Sequence, residues 1–314
     1  MIDWTPGSIA MQIGPISVFW YGICYAVALA AAYLLMTVEA KRRGEDLDLL
    51  PNGMIVVAVA ALIGGRAYHV IDQWALYRDD LLKIVLPPYT GLGAYGGLFT
   101  GILALAAYAH YKRVSFWIWA DIAAPAVFLV QGIARWGNFF NQELYGPPTN
   151  LPWGIAIQCS KRIAAYACPP GSDPNATLGQ HFQPLFLYES LSGLIGCAVL
   201  LFLARRLGGR LRPGDLVAIF FIWYGLVRFS LETLRSDNWT FFGIPVAQIV
   251  SLAFVAAAIV ILVYRHRGPR SEPPSGSPEQ PPGRSDASAS LAPSGEPTGA
   301  PVVEGAGPPA AQPN

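Results

Sequence analysis

The sequence predicts an all-α membrane protein of seven transmembrane helices, with the N-terminus outside, the C-terminus cytoplasmic and an irregular extracytoplasmic loop region. Three observations carry this prediction. The chain is 53% apolar and 13% charged, with positive mean hydropathy, against about 25% charged in ordinary soluble domains. Seven apolar runs match the roughly 20 residues needed to cross the hydrocarbon. They lie near residues 16 to 38, 51 to 71, 91 to 111, 116 to 135, 184 to 204, 214 to 234 and 243 to 264. Lysine and arginine concentrate in alternate loops, and cytoplasmic loops carry that excess.

The basic loops are those with Lys41, Arg42 and Arg43, with Lys112 and Arg113, and with Arg205, Arg206, Arg210 and Arg212, followed by the exit at Arg265, Arg267 and Arg270. The opposite loops hold fewer cations: Arg78 and Lys83, then Lys161 and Arg162. Residues 1 to 15 carry Asp3, Trp4 and two prolines without a basic n-region, so span one is expected to serve as both signal and anchor. A net charge of +1 gives no electrostatic footprint for nucleic acid.

Residues 1 to 267 read as one transmembrane catalytic domain, and residues 136 to 183 as its long external loop, rich in Pro, Gly and Asn. Cys24 and Cys197 fall within spans, where a thiol behaves as a small apolar group. Cys159 and Cys168 fall in the external loop, where an oxidising exterior permits a disulfide. Whether they pair or stay as two thiols depends on geometry that spacing does not give. From residue 268 to 314 the chain is Pro, Gly, Ser and Ala with few large apolar residues. Such a segment buries too little surface to offset its ordering entropy, and is expected to be a disordered cytoplasmic tail.

Ionisable residues inside spans are costly. An arginine at the bilayer centre costs roughly 2.5–3.5 kcal/mol on insertion scales, so such groups mark functional cavities. Span four ends in ARWGNFFNQELYG, placing Arg135, Asn138, Asn141 and Glu143 at one mouth. Span six contains Tyr224, Arg228, Glu232 and Arg235 at spacings of four, four and three, a polar stripe on a helix. Its two arginines against one glutamate suit an anionic ligand. Arginine's planar fork grips phosphate oxygens in two parallel bonds, and asparagine amides add neutral donors, so Arg135 and Arg228 can clamp one phosphate.

Span three has Gly93, Gly97 and Gly101 at four-residue spacing, the small-residue pattern of close helix packing, with Tyr95 beside Gly96 and Gly97. Span two ends in GGRAYHVIDQW, with Arg66 and His69. Trp20, Tyr21 and Gly22 open span one, and FQPLFLYES, with Tyr188 and Glu189, leads into span five. Aromatic anchoring at the interface accounts for Trp20 and Tyr21, and Tyr188 and Glu189 read as structural. The sequence contains neither a paired His/Cys metal motif nor a phosphate-loop motif, so no metal or cofactor is expected.

These pieces together resemble the prolipoprotein diacylglyceryl transferase family over residues 12 to 264. The most specific match is ARWGNFFNQELYG to the family signature G-R-x-G-N-F-x-N-x-E, with Ala134 at the usual glycine. WYG at Trp20–Gly22, GGR at Gly64–Arg66, LYE at Leu187–Glu189 and the run from Tyr224 to Arg235 support it. Two positions depart from the family. Tyr95 stands where many members carry a histidine proposed as catalytic base, and Gln183-Pro184 replaces His-Pro, with His181 two positions away.

The resemblance implies a bacterial inner-membrane enzyme facing the extracytoplasmic side. It would move the diacylglyceryl group of phosphatidylglycerol onto the lipobox cysteine of prolipoprotein signal peptides and release glycerol 1-phosphate. Arg135, Arg228, Asn138, Asn141, Tyr224, Arg235 and Arg66 are then the expected substrate-binding residues. Glu143 and Glu232 are candidate bases, and Tyr95 and Tyr21 complete the expected catalytic residues, Tyr95 orienting the site through its hydroxyl. Intramembrane Arg–Glu networks also build transport pathways, and another phospholipid-headgroup enzyme can use the same arginines. Matching interrupted halves would favour a transporter.

Overall fold

The computed structural model describes residues 1–84, 91–235 and 240–267. The expected tail at 268–314 lies outside the described residues. Among the described residues the chain forms β1 (Ile9–Ile13), β2 (Ile16–Phe19), α1 (Trp20–Arg43), α2 (Leu49–Asp72), α3 (Ala94–Lys112) and α4 (Phe116–Asn141). There follow β3 (Ile155–Ala156), β4 (His181–Phe182), α5 (Leu185–Arg206), α6 (Asp215–Glu232), β5 (Thr240–Phe241), β6 (Ile244–Pro245) and α7 (Val246–Arg267). Five helices, α1, α2, α4, α5 and α7, are long and apolar enough to cross a membrane. Their outer faces carry large apolar side chains such as Leu34, Ile63 and Val260, each 64–65% exposed. This is the surface of a multi-pass membrane protein, in which lipid rather than water covers the apolar faces.

Helix association in lipid depends on close packing, and small residues supply it. A Cβ on Gly193 of α5 would lie 2.8 Å from the Phe128 carbonyl oxygen and 2.9 Å from the Gly132 nitrogen, so α4 and α5 touch backbone to backbone. Ser190 Oγ donates to the Gly132 carbonyl at 2.5 Å across the same seam. On α3, Gly93, Gly96, Gly97 and Gly101 all face α2, where they meet Tyr68, Gly64, Ala61 and Val57. The expected packing role of the three spaced glycines is therefore met. The α2–α3 hairpin packs mainly on itself, while α1 packs on α4, α4 on α5 and α6 on α7.

The boundaries differ from expectation in three places. Span one starts at Trp20, because residues 16 to 19 pair as β2 with β1 in an antiparallel hairpin. Helix α4 continues to Asn141, so Asn138 and Asn141 are helical rather than part of the external loop. The loop itself is a small folded head. Strands β3 and β4 pair around a cluster of Phe139, Tyr145, Ile155, Ile157, Phe182 and Phe186. Ile2 joins β3 through Ile2 N–H to Gly154 O at 2.8 Å and Ala156 N–H to Ile2 O at 2.9 Å. Cys159 and Cys168 form a disulfide, with Cα atoms 5.5 Å apart. Burial raises the pKa of the Tyr145 hydroxyl, which accepts from Ile163 N–H at 2.6 Å.

Candidate active site

The backbone contact between α4 and α5 places Arg135, one turn beyond Gly132, against Glu189, one turn before Gly193. Arg135 Nη2 lies 2.6 Å from Glu189 Oε2. From α6, Arg228 Nη1 approaches the other oxygen of the same carboxylate at 3.8 Å, and its Nη2 meets Glu232 at 2.7 Å. Two guanidinium groups from different helices thus converge on one oxyanion. Glu189 and Glu232 are 3% and 4% exposed, and burying them in this setting requires such pairing. Two arginines face two carboxylates, so this array is neutral rather than net positive. The surplus cation read from span six is Arg235, which falls after the end of α6 at Glu232, and the charge that Arg135 brings from α4 is matched by Glu189 of α5. Arg135 Nε is buried and has no hydrogen-bond acceptor among the described residues.

The second part of the site depends on how α4 ends. Gln142 adopts the left-handed conformation at φ 57, and Glu143 N–H and Gln142 N–H return to the carbonyls of Asn138 and Phe139 at 2.9 and 3.0 Å. This is a Schellman-type stop on a residue that is not glycine, a conformation costing roughly 1–2 kcal/mol. The Gln142 amide offsets that cost. It donates to Pro6 O at 3.0 Å and Gln158 Oε1 at 2.9 Å, and accepts from Gln158 N–H at 2.9 Å. The reversal brings Glu143 back over the helix end, where Oε1 accepts from Asn138 Nδ2 at 3.0 Å and Asn141 Nδ2 at 3.1 Å. The asparagine amides expected to face a phosphate therefore hold Glu143.

Tyr21 sits at the head of α1, packed on Gly137, where a Cβ would come within 2.8 Å of its ring. Its ring also packs against that of Tyr25, with centroids 5.1 Å apart. Tyr224 lines the same cleft with Glu189, Arg228, Gln131 and Ser192. Tyr95 is 63% exposed at the start of α3, its ring 6.2 Å from that of Tyr68.

Two of the expected substrate-binding residues lie outside α4, α5 and α6. Arg66 donates to Lys83 O at 2.7 Å, Ile84 O at 3.1 Å and Gly91 O at 3.3 Å, and stacks over Tyr77. It ties down the connection between α2 and α3. Arg235 lies beyond the end of α6. The chain tightens after Glu232 into three-residue turns, with Leu234 N–H bonded to Leu231 O and Arg235 N–H to Glu232 O, both at 3.1 Å. The helical stripe therefore holds Tyr224, Arg228 and Glu232 only. Conversely, sequence reasoning took Glu189 as structural and did not single out Gln142. The LYE match was the available signal for Glu189; for Gln142 it was the position between Asn141 and Glu143 in the signature.

The family profile described as prolipoprotein diacylglyceryl transferase matches residues 8–264. A phosphatidylglycerol-prolipoprotein diacylglyceryl transferase of Streptococcus pneumoniae (strain ATCC 700669 / Spain 23F-1) is 38% identical over 263 residues, covering 82% of this chain and 94% of the relative. The protein of the same name from Nostoc sp. (strain PCC 7120 / SAG 25.82 / UTEX 2576) is 36% identical over 263 residues, covering 83% and 89%. On the extent of these matches, the chain belongs to the prolipoprotein diacylglyceryl transferase family.

Proposed function

We infer that this chain transfers the diacylglyceryl group of phosphatidylglycerol to the cysteine thiol of a prolipoprotein, in the cleft between α4, α5 and α6. Family membership supports the reaction. The observation that carries the site is the convergence of Arg135 and Arg228 on the single buried carboxylate of Glu189. A carboxylate and a phosphate diester present the same pair of anionic oxygens to a guanidinium fork. Phosphatidylglycerol enters by taking the place of Glu189 on one edge of the forks, and Arg135 Nε offers a further donor.

The reaction forms one sulfur–carbon bond to the glyceryl carbon as that carbon's bond to the phosphate oxygen breaks. The electron pair leaves with glycerol 1-phosphate, and the thiol proton passes to a base. Charge grows on the leaving phosphate beside Arg135 and Arg228, where fixed cations stabilise it most. The same cations favour the thiolate of the incoming cysteine, whose ordinary pKa is about 8.5. Glu232 is engaged by Arg228 at 2.7 Å. Glu143, exposed at the mouth and positioned by Asn138 and Asn141, takes the proton. Tyr21 and Tyr95 orient the reactants, Tyr224 lines the lipid pocket, and Arg66 and Arg235 support its rim.

In the membrane, α3 and α6 complete seven spans, since their 19 and 18 residues reach about 27–29 Å at roughly 1.5 Å per residue. The basic loops put the N-terminus and the site on the extracytoplasmic face of the bacterial inner membrane. Residues 1–267 form the catalytic domain, and residues 268–314 a cytoplasmic tail.

The test is thioether formation by the purified full chain on a lipobox peptide in phosphatidylglycerol micelles, read by mass spectrometry. A cysteine-dependent mass gain with release of glycerol 1-phosphate is expected, and a serine peptide gives none. Arg135→Gln and Arg228→Gln should each lower the rate at least a hundredfold. No product from folded protein overturns the reading, and full activity in either arginine variant overturns the clamp.

A further inference from the structure

A second cluster of charged groups lies at the other end of the bundle. Asp121 and Arg135 are separated by 14 residues of α4, about 21 Å at roughly 1.5 Å per residue. At that far end the last turn of α1, the start of α4 and the α5–α6 connection enclose a concavity of about 330 Å³. Three guanidinium groups line it, from Arg42, Arg43 and Arg212, against the two carboxylates of Glu45 and Asp121.

Most of these groups already have partners. Asp121 accepts from Gly214 N–H at 2.7 Å and Val217 N–H at 3.0 Å, which anchors the start of α6 to α4. Arg42 is held by the buried Glu39 at 2.7 Å, and the Arg212 side chain donates to the Arg265 carbonyl. Arg43 is different. Its ion pair among the described residues is a long one, Nη1 to Asp121 Oδ2 at 3.9 Å, and its buried Nε has no hydrogen-bond acceptor among the described residues. Leaving a buried charged donor unmade is costly, and an oxyanion held between Arg43 and Arg212 would remove that cost.

We propose that this concavity binds one phosphate group, as the headgroup of an anionic phospholipid or as a free phosphate anion, at a site separate from the transfer site. Basic pockets between helices at a membrane interface hold anionic headgroups in this way. Ile118, Leu211 and Leu216 also line it and are apolar, which suits the glycerol end of a lipid. The proposal does not rest on the transferase reading, since it involves none of the groups placed there.

The test counts lipids retained by the full chain in neutral detergent, using native mass spectrometry. Phosphatidylglycerol, phosphatidylcholine and inorganic phosphate are the three probes. One phosphatidylglycerol per chain should survive in the Arg135→Gln/Arg228→Gln double variant, and Arg43→Gln added to that background should weaken its retention at least tenfold. Inorganic phosphate that displaces the lipid at millimolar concentration identifies phosphate itself as the ligand. Failure to displace assigns the site to the intact lipid.

Arg43→Gln alone should leave transfer within twofold of the unsubstituted chain. Arg43→Lys, keeping charge without the fork, should show an intermediate loss. If Arg43→Gln does not purify folded, Arg42→Gln, on the more exposed side of the same pocket, takes its place with the same expected direction. Equal retention of phosphatidylcholine, or unchanged retention in folded arginine variants, overturns the proposal.

Discussion

Glu189 governs the arginine pair from a position that neither arginine's own helix supplies. Replacing it by glutamine removes the charge that Arg135 and Arg228 share and leaves two partly buried cations facing Glu232 alone. Breaking a fully buried pair costs roughly 3–5 kcal/mol. With the Arg135 side chain 32% exposed, the low end of that range is expected for Glu189→Gln, together with at least a tenfold drop in transfer. Thermal unfolding in detergent beside the transfer assay checks both, and an unchanged melting midpoint would remove Glu189 from its central role. Tyr95 poses the opposite case. Tyr95 is 63% exposed and its ring packs 6.2 Å from that of Tyr68, so Tyr95→Phe should keep transfer within about tenfold. A loss beyond a hundredfold would place that hydroxyl in the proton transfer.

Helix pairs set the distances on which those side chains depend. The α4–α5 seam is closed by Gly132 and Gly193, and the salt bridge from Arg135 to Glu189 lies one turn from that contact. A methyl at Gly193 meets backbone atoms that cannot rotate away. Gly193→Ala should therefore push the helices apart, at about 1–3 kcal/mol, and lower transfer at least tenfold while leaving the head fold intact. The measurement is a melting curve paired with kcat; an unaffected kcat would show that the arginine pair tolerates a wider seam. The end of α4 depends on context in a similar way. Its left-handed Gln142 persists because Pro6 and Gln158 satisfy the amide, so the N-terminal segment and the head together hold Glu143 in place.

Across the molecule, the head and the helices are stabilised differently. The head has its own aromatic core and a disulfide closing a nine-residue separation, which in the chain-entropy account contributes at most about 2–3 kcal/mol. Cys159→Ser with Cys168→Ser should lower the melting midpoint modestly and raise proteolysis between residues 158 and 180, with helix content unchanged by circular dichroism. Loss of helical signal in the same variant would show that the bundle depends on the head for its fold.

Much of this organisation was legible in the chain before any fold. Each of the seven apolar runs coincides with a helix among the described residues, five of them long and apolar enough to cross a membrane, and ARWGNFFNQELYG marked the candidate site because charge is costly in a span. The glycines of α3 predicted a close helix contact and form one. What spacing left open was partnership between distant segments. Glu189 read as structural because its partners lie 54 and 39 positions away in the chain. Arg66 read as a ligand-binding group, yet the α2–α3 connection supplies carbonyls that occupy it. Arg235 read as helical because its spacing fits a helix, although α6 stops at Glu232. The disulfide was open until folding brought two Cα atoms within reach. Local composition determines which segments enter the membrane, since that depends on each segment's own transfer free energy. Which charges neutralise one another depends on close contact between helices, and only the packed bundle provides it.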